Sequence, residues 1–268
     1  MPTGLSQRIV LIGWGAIART AARLLEGSDL QIVAVAVRDA STPRPDLPSD
    51  AALITSPHEL AAVRPDIVAE AASRESVGPW GHAALGASAH FIVSSVSALA
   101  DEDLLDSLRR AAVDNRRQVH IQVGALGGID ALSAARLIGL DSVEHRIVKP
   151  PTAWRGTPAE SLCDLDSLAG PHTFFSASAA DAASAFPKNA NVAMTTALAG
   201  IGPHDTQISL VADPDATTNC HEVTAIGAFG QLDVTISNAP LPENPKTSAM
   251  AALSLVRAIQ NRVNPVIV

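Results

Sequence analysis

The stretch Gly13-Trp14-Gly15-Ala16-Ile17-Ala18 has the spacing best suited to chemistry in this chain. An apolar run, Ile9 to Ile12, stops at Gly13, and a helix-like pattern begins at once. Two glycines at such a junction let backbone approach a pyrophosphate closely. The first helical turn, with Ala16 and Ile17, then offers unpaired N–H groups and a positive dipole end to that anion. Ala18, third in the G-x-G-x-x-G/A fingerprint, is small enough for close packing of helix on strand. Asp39 lies 24 residues after Gly15, near the ~20 expected of a carboxylate that binds the ribose 2′-OH of NAD. Arg38 beside it could instead receive the 2′-phosphate of NADP, so the expected cofactor is NAD or NADP. Ala72-Ser73 and Ser94–Ser97 follow two further apolar runs, and their small side chains leave room for a ribose and a nicotinamide ring.

Other residues with chemical potential are scattered. Of eight histidines, His221 stands out at a strand start behind a polar loop, and His204 stands out before Asp205-Thr206. A lone histidine is more often structural than functional. No pair has the H-x-x-x-H spacing of metal ligands, so no metal is expected. There is no G-x-S-x-G motif, and Cys163 has no flanking signature, which leaves nucleophilic hydrolysis unsupported. The three lysines, Lys149, Lys188 and Lys246, each stand beside a proline, in a chain that otherwise uses arginine. That shared context marks them for attention.

Elements must position these residues. Strand-like runs at 8–12, 31–37, 66–70, 90–96 and 118–123 alternate with helical patterns at 15–27, 57–63, 75–87 and 101–115. Ser56-Pro57-His58-Glu59 has the residues of a capped helix start. This rhythm predicts a Rossmann-type, doubly wound parallel sheet over residues 1–123. Beyond it the pattern changes. Helical segments at 178–186 and 191–200 precede strands at 206–212, 221–227 and 231–237, the last two joined like a hairpin at 227–230. An α+β catalytic domain with a mixed or antiparallel sheet is expected over 124–245. The tail from 246 is expected to be helical, closing the second domain or returning to the first.

Composition bounds the partners. A chain of 268 residues with 47 % hydrophobic and 17 % charged residues can bury a full core. Its net charge of −8 disfavours nucleic acid and anionic membrane surfaces, and no apolar run reaches the ~20 residues needed to span a bilayer. Residues 1–8 lack the basic-then-apolar order of a signal peptide, and two cysteines without ligand spacing suit a reducing compartment. A cytoplasmic protein acting on a small molecule is expected, with no nucleic-acid or membrane partner, and as a homodimer.

At greater length the sequence resembles the L-aspartate dehydrogenase family. The resemblance runs through GWGAIA (13–18), DIVAEAAS (66–73), SSVSALAD (94–101), GALGGIDAL (124–132), KPPTAWRGTP (149–158), FPKNANVA (186–193), NCHEV (219–223), GAFG (227–230) and NPKTS (244–248). It implies NAD(P)-dependent oxidative deamination of L-aspartate through iminoaspartate to oxaloacetate and ammonia, which could supply iminoaspartate for NAD synthesis. It also implies that His221 is the catalytic residue and that Ala125 and Asn191 are cofactor contacts.

The residues agree with this chemistry. A neutral imidazole can take a proton from the substrate amine and later activate water, since histidine titrates near ~6.5. A dicarboxylate substrate needs local cations or amides in an acidic protein. Lys149, Lys188, Asn189, Lys246 and Thr247 are the candidates. Two other readings compete: a two-domain dehydrogenase of the homoserine dehydrogenase or dihydrodipicolinate reductase type, and a non-catalytic NAD(P) sensor.

Overall fold

A computed structural model describes residues 6–88 and 90–267, apart from the side chains of Lys188, Pro245 and Lys246. Strands β1 (Gln7–Ile12), β2 (Leu30–Ala36), β3 (Ala52–Ile54), β4 (Ile67–Glu70), β5 (His90–Val93) and β6 (Gln118–Ile121) form one parallel sheet in the order β3-β2-β1-β4-β5-β6. The order reverses between β1 and β4, which is the switch point where open α/β sheets bind ligands. Consecutive residues Ile9, Val10 and Leu11 are all fully buried, so both faces of the sheet are covered, as a parallel sheet requires. Helices α1 (Ala16–Leu25), α2 (Arg74–Ala87) and α3 (Glu102–Asp114) make the crossovers. Ala18, Ala21 and Leu25 of α1 pack onto Ile9, Leu11, Ile32 and Val35. Alanine at position 18 is therefore part of the helix–sheet contact that the fingerprint predicts.

The remaining elements are α4 (Ile129–Ala135), β7 (Leu140–Lys149), α5 (Pro151–Trp154), α6 (Ala159–Leu162), β8 (His172–Ser178), α7 (Ala179–Ala185), α8 (Ala190–Ala199), β9 (Gln207–Ala212), β10 (Asn219–Gly227), β11 (Gly230–Asn238), β12 (Pro240–Leu241), β13 (Asn244–Ser248) and α9 (Ala249–Gln260). Five of the strands form a mixed sheet, β11-β10-β7-β9-β8, antiparallel throughout except for the parallel pair β7 and β9. Ala182 and Phe186 of the α7 segment, with Ala193 and Ala197 of α8, cover this sheet at Ile147, Ile208 and Leu210. The chain packs as two compact units. One runs to Gln122 and takes in the tail from Ala252; the other covers Val123–Ala251. Leu255, Val256 and Ile259 of α9 belong to the same core as β1 and α1.

Several elements differ from the sequence expectation. Residues 57–63 form a 3-10 helix rather than an α-helix, although the capping box is made: the Ser56 N–H donates to Glu59 Oε1 at 2.8 Å. Residues 246–248 lie in β13, which pairs with β12, and the tail helix starts only at Ala249. Local pattern favours a helix there, but pairing with residues 240–241 overrides it. β3, β7 and β8 were not expected. β3 is three residues long, and β8 is an edge strand with no fully buried position. β7 alternates correctly, but two of its inward positions are His145 and Lys149, so it does not read as an apolar run.

Candidate active site

The two glycines of the β1–α1 turn do different work. Gly13 has φ +92°, and a Cβ there would stand 2.8 Å from both the Ala71 carbonyl oxygen and the Ala72 Cβ. Its bare backbone lets the turn press against the end of β4, while its N–H donates to the Ala36 carbonyl at 2.8 Å. Gly15 has an ordinary extended conformation at the N-cap of α1, and a Cβ there would meet nothing within 4 Å. No side chain caps this helix, and no acidic residue lies in its first turn. Open space above unpaired N–H groups fits a pyrophosphate, so Gly15, Ala16 and Ile17 meet what the group needs.

Around this turn the loops are tied down. Trp14 Nε1 donates to Asp46 Oδ1 at 3.0 Å, and Arg19 Nε lies 3.5 Å from Asp46 Oδ2, which pins the proline-rich loop at 40–50 to the glycine turn. Glu70 ends β4 fully buried. Its Oε1 accepts from the Ala72 N–H at 2.8 Å and from Ser95 Oγ at 2.8 Å; Oε2 accepts from the Ser95 N–H at 2.8 Å. One carboxylate therefore sets both the Ala72-Ser73 loop and the loop after β5, and these hydrogen bonds offset its desolvation. Arg38 and Asp39 are exposed at the end of β2. Asp39 accepts from Ser41 N at 2.8 Å, Ser41 Oγ at 2.6 Å and Thr42 Oγ1 at 3.0 Å. Those bonds hold its carboxyl below the usual range, and a carboxylate with about four lone-pair sites keeps room for a further donor.

In the second unit, strand register assembles the polar cluster. His221 of β10 stands opposite Ile147 of β7, which makes His145 and Lys149 its diagonal neighbours on the same face. Arg146 and Glu222 lie opposite each other on the other face, as an exposed ion pair at 2.7 Å. His145 is fully buried, and His221 is 4 % exposed. His145 Nε2 and His221 Nδ1 are 3.1 Å apart, and His145 Nδ1 is 2.9 Å from Thr196 Oγ1 of α8. Burial, then the nearby Lys149 charge, pushes the His221 imidazole down to about 3. Burial, then His221, pushes His145 well below its ordinary value. Both rings are therefore neutral at working pH. Lys149 Nζ donates to Asn189 Oδ1 and sits 4.9 Å from the centre of the Trp154 ring. Burial pushes its ammonium down to about 8.

The expected site residues thus divide. Gly13, Gly15, Ala16, Ile17, Ala72 and Ser73 gather at the β1–α1 turn, with Arg38 and Asp39 at the neighbouring strand end. Lys149, Asn189 and His221 come together in the second unit. Ala125 is 8 % exposed, and its carbonyl accepts from Asn238 Nδ2 at 3.0 Å. Asn191 is exposed in the first turn of α8. Thr247 sits in β13, where its hydroxyl accepts from Asn244 Nδ2 at 3.0 Å. The side chains of Lys188 and Lys246 lie outside the described residues. Sequence reasoning missed His145 and Thr196. The signal for His145 was present: Val143, His145, Ile147 and Lys149 alternate with Glu144 and Arg146, the period of a half-buried strand.

Comparison with known proteins bears on the fold and the family. Residues 130–262 match the family model described as aspartate dehydrogenase, C-terminal, and residues 13–122 match the homoserine dehydrogenase NAD binding domain. L-aspartate dehydrogenase of Brucella anthropi is 52 % identical over 261 residues, 97 % of each chain. The Pseudomonas aeruginosa enzyme of the same name is 42 % identical, covering 96 % of this chain and 98 % of its own. The crystal structure of aspartate dehydrogenase from Thermotoga maritima shares the fold with a TM-score of 0.76 at 23 % identity, covering 98 % of this chain and 99 % of that one. A hyperthermophilic archaeal homoserine dehydrogenase in complex with NADPH reaches a TM-score of 0.60 at 13 % identity, covering 96 % and 97 %. Two matching family models and relatives that are 52 % and 42 % identical over nearly the whole chain place this protein in the L-aspartate dehydrogenase family.

Proposed function

We propose that this protein oxidises L-aspartate with NAD(P)⁺ and water to oxaloacetate, ammonium, NAD(P)H and a proton, by way of iminoaspartate, with His221 as the general acid and base. The observation that carries the reading is the neutral, buried imidazole of His221, held against His145 and next to the Lys149 cation. Bound NAD(P) supplies the acceptor for the hydride that leaves Cα. Gly15, Ala16 and Ile17 would hold its pyrophosphate at the turn that Gly13 shapes, Arg38 and Asp39 its adenosine ribose, and Ala72, Ser73, Ala125 and Asn191 the remainder.

The chain's own residues handle protons and carboxylates. His221 takes a proton from the substrate ammonium, freeing the nitrogen lone pair that drives hydride departure. That proton passes to solvent; His221, neutral again, takes a proton from the water that adds to the iminium carbon and passes it to the nitrogen, and ammonia departs as the carbinol O–H proton is lost, which leaves oxaloacetate, ammonium and one net proton. Lys149, ordered by Asn189 and Trp154, is the cation for a substrate carboxylate, with Lys188, Lys246 and Thr247 as further candidates. A cytoplasmic homodimer acting on this small molecule, without nucleic acid or membrane, belongs to the same proposal.

Purified protein mixed with L-aspartate and either NAD or NADP should generate reduced nicotinamide, followed by absorbance. His221→Ala should cut kcat by ~10²–10⁴-fold and leave cofactor binding nearly intact. Turnover with homoserine but not aspartate, or full activity in the variant, would defeat the proposal.

A further inference from the structure

We propose that Thr196 and His145 are positioning residues that lock His221 in one neutral tautomer, Nδ1 protonated and Nε2 bare. The inference rests on the acid–base reading of His221 and adds how that ring is prepared for its first step.

The argument is one of hydrogen-bond direction. Thr196 Oγ1 lies 3.1 Å from the Val192 carbonyl and 2.9 Å from His145 Nδ1. A carbonyl can only accept, so the single hydroxyl proton of Thr196 belongs to Val192. The hydroxyl oxygen must then accept from His145 Nδ1–H. A neutral imidazole carries one N–H, which leaves His145 Nε2 as a lone pair. His145 Nε2 is 3.1 Å from His221 Nδ1, so His221 must donate there and keep its own lone pair on Nε2. This is the one assignment that makes all three contacts hydrogen bonds. Turning the threonine proton toward His145 would reverse both rings and lose the Val192 bond.

Nothing nearby competes with the chain. His145 and Thr196 are fully buried, so bulk water does not reach them. Lys149 of β7 is the cation whose field reaches His221, and it disfavours a second proton on the ring. Arg146 and Glu222 pair with each other on the opposite face, α8 carries no charged residue, and Ile236 of β11 stands across from His221. In water a neutral imidazole prefers the Nε2–H form; here the fold imposes the other. The consequence is chemical. His221 begins as an acceptor at Nε2, and when it takes a proton its Nδ1–H already has a partner in His145.

The test reads the tautomer directly. In protein labelled with ¹⁵N-histidine, long-range ¹H–¹⁵N correlation spectra distinguish protonated from bare ring nitrogens. Loss of signals in His221→Asn and His145→Asn assigns the two rings. The expected wild-type result is Nδ1–H on both. Thr196→Val keeps the shape but removes the acceptor. It should move His221 toward Nε2–H and lower kcat by roughly 10- to 10²-fold with KM for NAD(P) unchanged. Thr196→Ser should restore both tautomer and rate. Nε2–H on His221 in the wild type, or an unaltered tautomer in Thr196→Val, would overturn the inference. If Thr196→Val does not fold, the wild-type and Thr196→Ser spectra still decide it. Full turnover in His221→Ala would instead remove the acid–base reading, leaving the tautomer to be judged by the spectrum alone.

Discussion

Acidification from near pH 8 to near pH 5 should cost this protein about 2 kcal/mol of stability through His221 alone. In the fold, burial and Lys149 hold that ring down at about 3, whereas in the unfolded chain it titrates near ~6.5. The unfolded state therefore binds the proton more tightly. The stabilisation is fully present above the unfolded value and is lost as pH falls through it toward 3. At pH ~5 the unfolded site is almost fully protonated and the folded site is still neutral, and RT ln(1 + 10^1.5) is about 2 kcal/mol. His145, pushed down by the same burial, acts in the same direction. Urea unfolding of the wild type and of His221→Asn at both pH values isolates the effect, because carboxylates that titrate over the same interval are common to both. Asparagine keeps a donor toward His145 Nε2. The variant should lose about 2 kcal/mol less than the wild type across the interval. Parallel loss in the two proteins would mean that His221 is not held neutral by the fold.

The glycine turn allows a contrast between fold and binding. Gly13→Ala meets both a left-handed φ and contacts at 2.8 Å, so urea unfolding should show a loss of roughly 2–6 kcal/mol. Gly15→Ala has open space and should stay within ~1 kcal/mol of wild type, while titration shows the Kd for NAD(P) rising by ~10-fold or more as the Cβ obstructs the pyrophosphate. Lys149 loses its charge above about 8, so the wild-type KM for aspartate should climb as pH rises through that value. Lys149→Met should raise KM ~10- to 10²-fold and flatten its dependence over that range; an unchanged KM would remove Lys149 from the substrate site.

Much of the nucleotide-binding unit is legible along the chain because its signals are short-range. A strand, two glycines and a helix occupy residues 7–25, and each choice is forced by neighbours a few positions away: Gly13 by its φ, Ala18 by the helix contact with β1. The alternation of apolar runs and helical patterns likewise implies the parallel sheet, since short crossovers leave few other arrangements. His221 and Lys149 could be singled out by type and context. Their association could not, because it depends on which residue of β10 faces which residue of β7, across 76 positions from His145 to His221. A register slip of one residue would turn His221 to the face now held by Arg146 and Glu222. The same holds for Thr196, which reaches His145 only because α8 lies on that face of the sheet, and for Glu70, whose carboxylate finds Ser95 on the adjoining strand's loop. Periodicity reveals which face of an element is buried. Long-range packing chooses what it is buried against, and in this protein that choice settles which nitrogen of a histidine carries the proton.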